Sequence, residues 1–190
     1  MGLKSNLEEE NNVPVGIMRG KKILFSLNEA QSLYNQGMYG SILKSEKLVL
    51  DPFEAGILLE RKRVQIAKDK RKTSFYSVQE FLEFFSLKDR TFWGKYLVYK
   101  DLKDRGYPVK PGLQNLIDFR VYPRGGRPGD SAAKYFVHIV TEGNPTSVTK
   151  LYEAISYARR NKRNLILAIG DRSGDIVYYQ VTNLDLSNSI

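Results

Sequence analysis

The chain has 190 residues, enough for one large domain or two small ones, and its 42% hydrophobic and 27% charged residues argue against disorder over most of its length. It has no cysteine and one histidine, His138, which excludes disulfide frameworks, thiolate metal sites and any zinc site that needs two imidazoles. Thirty Lys and Arg against 21 Asp and Glu leave a formal net charge of +9, which favours a polyanionic partner such as nucleic acid.

The opening MGLKSNLEEENN is polar and acidic, without the apolar core of a signal peptide, and residues 1–18 read as a flexible tail. No stretch of about 18 uncharged apolar residues follows, so no membrane partner is expected and the chain reads as cytoplasmic. GKKILFS (20–26) reads as a strand with Ile23 and Phe25 on one face; Ser26 then caps a helix over Leu27–Gln36, which Gly37 ends. SEKLVL (45–50) reads as a second strand. In DPFEAGILLERKRV, Asp51 as N-cap, Pro52 at the first helical position and Glu54 at the third predict a helix with Leu58, Leu59 and Val64 on its apolar face. The charge-dense RKRVQIAKDKRK (61–72) reads as a solvated helix face followed by a turn, or as a phosphate-contacting patch. Ser77 and Glu80 have capping-box spacing before SVQEFLEFFS (77–86). A longer helix follows over residues 89–106, with Phe92, Tyr96 and Tyr99 in one stripe that reads as core. Gly106 closes it, and YPVKPG reads as a turn.

Further on, LIDFRVYP (116–123) reads as a strand, RGGRPGDSA (124–132) as a basic glycine-rich loop and KYFVHIVTE (134–142) as a strand. A helix over 146–161 is capped by Thr146 or Ser147. NLILAIG (164–170) and GDIVYYQV (174–181) are the last two strands. The whole reads as an α+β chain of two small domains: a mixed α/β domain over 19–80, and a domain over 81–190 with a central mixed sheet flanked by helices.

Several clusters could carry chemistry. GGRPG (125–129) lacks the lysine and serine of a phosphate-binding P-loop and opens no helix. It reads as a loop in which Arg124 and Arg127 are candidate RNA-backbone contacts. Asp118 and Glu142 fall on adjacent strands, but no acid-x-Lys signature follows Glu142, so a two-metal nuclease is disfavoured and no metal or cofactor is expected. His138 alternates with Phe136 and Val140 and reads as a core or edge residue.

YLVYKDLKDRGYPVKPG, DFRVYP, KYFVHIV, ARRNKRNLILAIGD and GDIVYYQV, in that order, resemble the catalytic domain of the archaeal tRNA-splicing endonucleases over residues 96–182. The resemblance implies a nuclease-like C-terminal domain. It also implies metal-independent RNA cleavage to a 2′,3′-cyclic phosphate and a 5′-hydroxyl, by a tyrosine base, a histidine acid and a lysine that stabilises the transition state. Carried onto this chain, those positions fall on Tyr122, Ala132 and Arg163. A one-residue shift would put Lys162 in the lysine position. Alanine has no proton to give, so the resemblance implies a structural subunit rather than a catalytic one. Such a subunit would assemble with a catalytic homologue as a dimer of heterodimers on precursor tRNA. It further implies that Asp171 and Asp175 of GDRSGD (170–175) enter a basic cleft of a neighbour, and that Tyr178 and Tyr179 of the last strand lie at a subunit interface. A self-sufficient nuclease with a divergent site and a stand-alone RNA- or DNA-binding module are the alternatives.

Overall fold

The computed structural model describes residues 13–113, 116–143, 146–171 and 173–181. By compactness the chain divides into two units, Met1–Tyr96 and Leu97–Ile190. Together they hold five helices and two mixed sheets among the described residues, an α+β architecture.

The first unit is built on strands β1 (Val15–Arg19), β2 (Lys22–Ser26), β3 (Ser41–Leu43), β4 (Lys47–Leu50) and β5 (Gln65–Ala67), in the spatial order β3-β4-β2-β1-β5. All neighbours are antiparallel except β1 and β5. Residues 15–18, expected in the tail, are therefore strand. β1 is held by β2 on one side and by β5 on the other, and the β5 partner lies some 50 residues away, beyond the reach of a local pattern.

Helix α1 (Leu27–Gly37) follows β2, and α2 (Pro52–Glu60) follows β4. The α2 start works as its sequence predicts: Glu54 reaches back so that its Oε2 accepts the Asp51 N–H at 2.9 Å. Its other oxygen accepts the Gly40 N–H at 2.9 Å, so a carboxylate only 1% exposed ties the helix start to the segment before β3. Helix α2 stops at Glu60, four residues short of Val64. Lys62 takes a left-handed φ of 56° and the Arg63 N–H returns to the Leu58 carbonyl at 2.8 Å. Residues 61–72 are accordingly no helix face: they lead into β5 and a hairpin turn.

Helix α3 (Val78–Lys88) starts on Ser77, whose Oγ accepts the Glu80 N–H at 3.2 Å while Glu80 Oε2 accepts the Ser77 N–H at 2.8 Å. Helix α4 (Phe92–Asp104) begins in the first unit and continues into the second. The aromatic residues that open it belong to the first unit. Phe81 and Phe85 lie 5.0 Å apart by ring centroid, Phe85 and Phe92 5.6 Å, and Phe92 and Tyr96 6.2 Å. Tyr96 then donates to Glu60 Oε2 at 2.6 Å. Through this continuous aromatic column, residues 81–96 pack with the first compact unit.

The second unit is a five-stranded sheet in the order β10-β9-β8-β7-β6. Its strands are β6 (Val109–Pro111), β7 (Phe119–Val121), β8 (Tyr135–Thr141), β9 (Asn164–Gly170) and β10 (Ile176–Val181). Only β8 and β9 are parallel, because α5 (Val148–Arg160) carries the chain between them. Ser147 caps α5, its Oγ accepting the Lys150 N–H at 3.2 Å. One face of the sheet packs Phe136 and Leu165 against Ala154 and Ala158 of α5, with Ile117 beside them. On the other face Phe119 meets Tyr99 of α4 at 5.6 Å.

Candidate functional site

Strand register decides which residues share the site. Val121 of β7 lies opposite Tyr135 of β8, and Tyr135 lies opposite Asn164 of β9. One end of the sheet thus gathers the C-terminus of β7 and the N-termini of β8 and β9. Tyr122 follows Val121 directly, Ala132 precedes Tyr135 by three residues, and Arg163 precedes Asn164. Three positions spread over 41 residues of sequence come to one sheet end, with Tyr122 and Arg163 two strand spacings apart, about 10 Å.

Each position is held by local bonds. The Tyr122 N–H donates to the Pro108 carbonyl at 2.9 Å, and the Lys134 N–H to the Val121 carbonyl at 2.8 Å. The loop between them is closed by the Ser131 and Asp130 N–H groups, which donate to the Arg127 carbonyl at 2.8 and 3.1 Å. Gly125 and Gly129 take φ of 77° and 109° there, which is why the turn needs glycine. Ahead of β9, Lys162 turns left-handed and the Arg163 N–H returns to the Ala158 carbonyl at 2.9 Å, ending α5 beside the same sheet end.

The side chains present little chemistry. Tyr122 is buried, 5% exposed. Ala132 is exposed and offers a methyl group. Arg163 turns its Nη1 back to donate to the Lys162 carbonyl at 2.8 Å. Lys134, which pattern reading passed over, is an exposed cation at the same end, its Nζ 5.1 Å from the Tyr135 ring centre. Both candidate RNA contacts are exposed, and the Arg124 guanidinium lies over the Tyr107 ring at 5.0 Å.

On the α4 face, Tyr107, Tyr135, Tyr178 and Arg105 surround a cavity of about 180 Å³ with an aliphatic floor that includes Val121 and Val137. Its four polar residues come from the segment after α4 and from two strands, so no sequence motif announced it. Tyr178 donates to Asp101 Oδ2 at 2.6 Å, and Arg105 Nε donates to the same oxygen at 2.8 Å. Burial, followed by that hydrogen bond, pushes the Tyr178 phenol well above the usual tyrosine range. The two tyrosines of the last strand therefore part: Tyr178 turns inward onto α4, while Tyr179 is 55% exposed. With Tyr179, Val177 and its cross-strand neighbour Ile169 form an exposed apolar stripe on the edge strand β10 and on β9.

Asp171 and Asp175 bracket the β9–β10 turn. Asp171 Oδ1 accepts the Asp175 N–H at 2.9 Å, the Asp171 N–H donates to the Asp175 carbonyl at 3.1 Å, and Gly174 takes a φ of 93°. Both aspartates are exposed. His138 is buried on the α5 face with Phe136, its Nδ1 3.0 Å from the Leu116 carbonyl. Asp118 Oδ2 accepts the Ile139 N–H at 2.8 Å, a role within the sheet. Among the described residues no group of three or more His, Asp or Glu is placed to hold a metal ion, and no helix is long and apolar enough to cross a membrane.

The chain is thus a two-unit α+β protein whose second sheet brings Tyr122, Ala132 and Arg163 to one end, and both units match families of known proteins. Residues 16–78 match the family described as tRNA intron endonuclease, N-terminal domain, and residues 92–178 match tRNA intron endonuclease, catalytic C-terminal domain. A tRNA-splicing endonuclease of Thermococcus kodakarensis is 36% identical over 154 residues, covering 81% of this chain and 88% of that protein. One of Methanothermobacter thermautotrophicus is 34% identical over 152 residues, 80% of this chain and 86% of that protein. One of Methanosarcina mazei is 38% identical over 164 residues, 86% of this chain but 44% of that protein, so the chain spans less than half the length of this relative. The chain belongs to the tRNA intron endonuclease family.

Proposed function

We propose that the chain is a structural subunit of a tRNA-splicing endonuclease, which supports assembly and precursor-tRNA binding while a homologous catalytic chain cuts the intron. The observation that carries this reading is the state of the three gathered positions: a buried phenol, a methyl group and a guanidinium folded onto its own loop. Cleavage without metal needs a base that reaches the ribose 2′-hydroxyl and an acid that protonates the leaving 5′-oxygen. Ala132 supplies no acid, and loss of such a group costs about 10²–10⁴-fold in rate.

What remains intact suits assembly. The stripe of Ile169, Val177 and Tyr179 lies on a sheet edge, where exposed apolar side chains and unpaired backbone groups favour pairing with another chain. Asp171 and Asp175 stand exposed on the β9–β10 turn, closed by its own hydrogen bonds, which suits insertion between the cations of a neighbour. Arg124, Arg127 and Lys134 surround the sheet end with positive charge for the RNA backbone. The partner in this reading is a catalytic subunit, as a dimer of heterodimers, with precursor tRNA as substrate and no cofactor.

The test is cleavage of an intron-containing precursor tRNA in EDTA, by the chain alone and then mixed with a homologue that has the histidine and lysine. Cutting only in the mixture, with 2′,3′-cyclic phosphate and 5′-hydroxyl ends, supports the proposal. Efficient cutting by the chain alone overturns it.

A further inference from the structure

Residues 61–72 hold seven Lys and Arg against one acid, Asp69, so this short segment accounts for most of the chain's net positive charge. The structure sorts these charges. Lys68 pairs with Glu80 at 2.6 Å, Arg61 donates to the Tyr39 hydroxyl at 2.9 Å, and Arg63 donates to Gln36 at 3.2 Å. Lys70, Arg71 and Lys72 are exposed at the tip of a hairpin, and among the described residues no carboxylate pairs with them.

The hairpin is built to hold that tip still. The Lys68 N–H donates to the Ser74 carbonyl at 2.9 Å, the Tyr76 N–H to the Ile66 carbonyl at 2.9 Å, and Ala67 bridges Phe75. Within the turn, Asp69 accepts four hydrogen bonds: from the Thr73 N–H at 3.3 Å and Oγ1 at 3.0 Å, and from the Ser74 N–H at 3.0 Å and Oγ at 2.8 Å. Lys72 takes a left-handed φ of 56° beside them. The acid that would otherwise neutralise the neighbouring cations is thus occupied in closing the turn. Its pKa is held down at about 2, chiefly by the Ser74 hydroxyl, so the clamp is ionised throughout the neutral range.

We propose that the turn over residues 69–74 is a preorganised phosphate-binding element of the first unit, with the sugar–phosphate backbone of base-paired RNA as its ligand. Three exposed cations on successive residues can each meet a separate phosphate, which suits a polyanion better than a single anion. The deep, narrow major groove of paired RNA keeps side chains from the base edges, so recognition here is of charge and shape. The element rests on the splicing reading and deepens it by adding a grip on the paired body of the substrate, a role distinct from that of the sheet end that meets the cut strand.

The test is fluorescence-anisotropy binding of the whole chain to a 20-base-pair RNA duplex without an intron, at several salt concentrations. In K70Q/R71Q/K72Q, the slope of log affinity against log salt should become shallower by about 2.7, at ~0.9 for each of the three phosphates no longer neutralised. An unchanged slope overturns the proposal. Asp69→Ala separates a rigid element from a mere sum of charges. It raises the net charge, so charge alone predicts tighter binding, whereas loss of the clamp predicts binding weakened by several-fold. Tighter binding with circular dichroism unchanged overturns preorganisation. Binding of the triple variant to a catalytic homologue is measured alongside: a loss there with duplex binding intact assigns the turn to an acidic protein partner and overturns the RNA assignment. The cleavage assay of the mixture reads the splicing proposal independently. Failure there with a shallower slope in the triple variant leaves the phosphate element standing.

Discussion

Introducing an acid at position 132 tests whether the sheet end can serve as a reaction centre. In Ala132→His, the new imidazole would stand on an exposed position, in a loop fixed by the Ser131 and Asp130 bonds to the Arg127 carbonyl. A general acid is worth about 10²–10⁴-fold. The upper value requires a base free to reach the ribose hydroxyl, and Tyr122 is only 5% exposed. Arg163 adds a second restriction, since its guanidinium is turned onto the Lys162 carbonyl. The expected gain in A132H is therefore at the lower end, about 10²-fold in single-turnover cleavage, or ~2.7 kcal/mol of barrier. A132H/R163K should gain further, and adding Tyr122→Phe should remove the gain. The assay is single-turnover cleavage of precursor tRNA in EDTA, with the ends identified as cyclic phosphate and 5′-hydroxyl. A folded A132H/R163K protein no more active than the parent would refute the placement of the three positions at one reaction centre. A gain that survives Tyr122→Phe would refute the tyrosine's assignment alone.

Glu54→Ala should destabilise the first unit by about 3 kcal/mol in urea unfolding, because it strands the Gly40 and Asp51 N–H donors that a charged oxygen satisfied; Glu54→Gln, which keeps one acceptor, should cost about half as much. Tyr178→Phe should cost about 1 kcal/mol, since half-exposed Arg105 remains to pair with Asp101. The Tyr178 phenol has a raised pKa, so its contribution is complete below the ordinary tyrosine value near 10 and is lost as pH climbs through the folded value; alkaline absorbance titration of Tyr178→Phe should lack one phenol that ionises above the ordinary tyrosine range. Asp69 and Glu80 are both depressed to about 2, so their contribution is complete above the usual carboxylate range near 4 and is lost as pH falls through about 2. Carboxyl NMR titrations of the two residues should show those low midpoints, and in Lys68→Ala the Glu80 midpoint alone should rise.

Helix starts were legible in the sequence because they are made by side chains at fixed spacing. Asp51-Pro52-x-Glu54, Ser77-x-x-Glu80 and Ser147 each open a helix where the pattern places one. Helix ends were less so, for a physical reason. Met38, Lys62 and Lys162 take the left-handed conformation that glycine usually supplies, and the backbone bonds that reward it are invisible in residue type. This is why α2 read as running on to Val64. Of the strands that escaped notice, β3, β5 and β6 have three residues each, too short for a period of two to show, and β1 lay in the segment read as tail. In β6, Pro111 further disguised the strand as a turn, although a sheet edge tolerates proline.

The candidate site divides along the same line. Residue identities at 122, 132 and 163 were readable from resemblance, but their meeting at one sheet end depends on long-range register, Val121 to Tyr135 to Asn164. Register also explains why chemistry and scaffold can be lost separately. The pairs that gather the site use backbone N–H and C=O groups, and the side chains that hold the strands face away from it: Phe119 onto Tyr99, Phe136 onto the α5 alanines. Ala132, exposed three residues before β8, takes no part in those contacts, so a different side chain there would leave them untouched. The fold therefore exerts little pressure to keep a proton donor at that position.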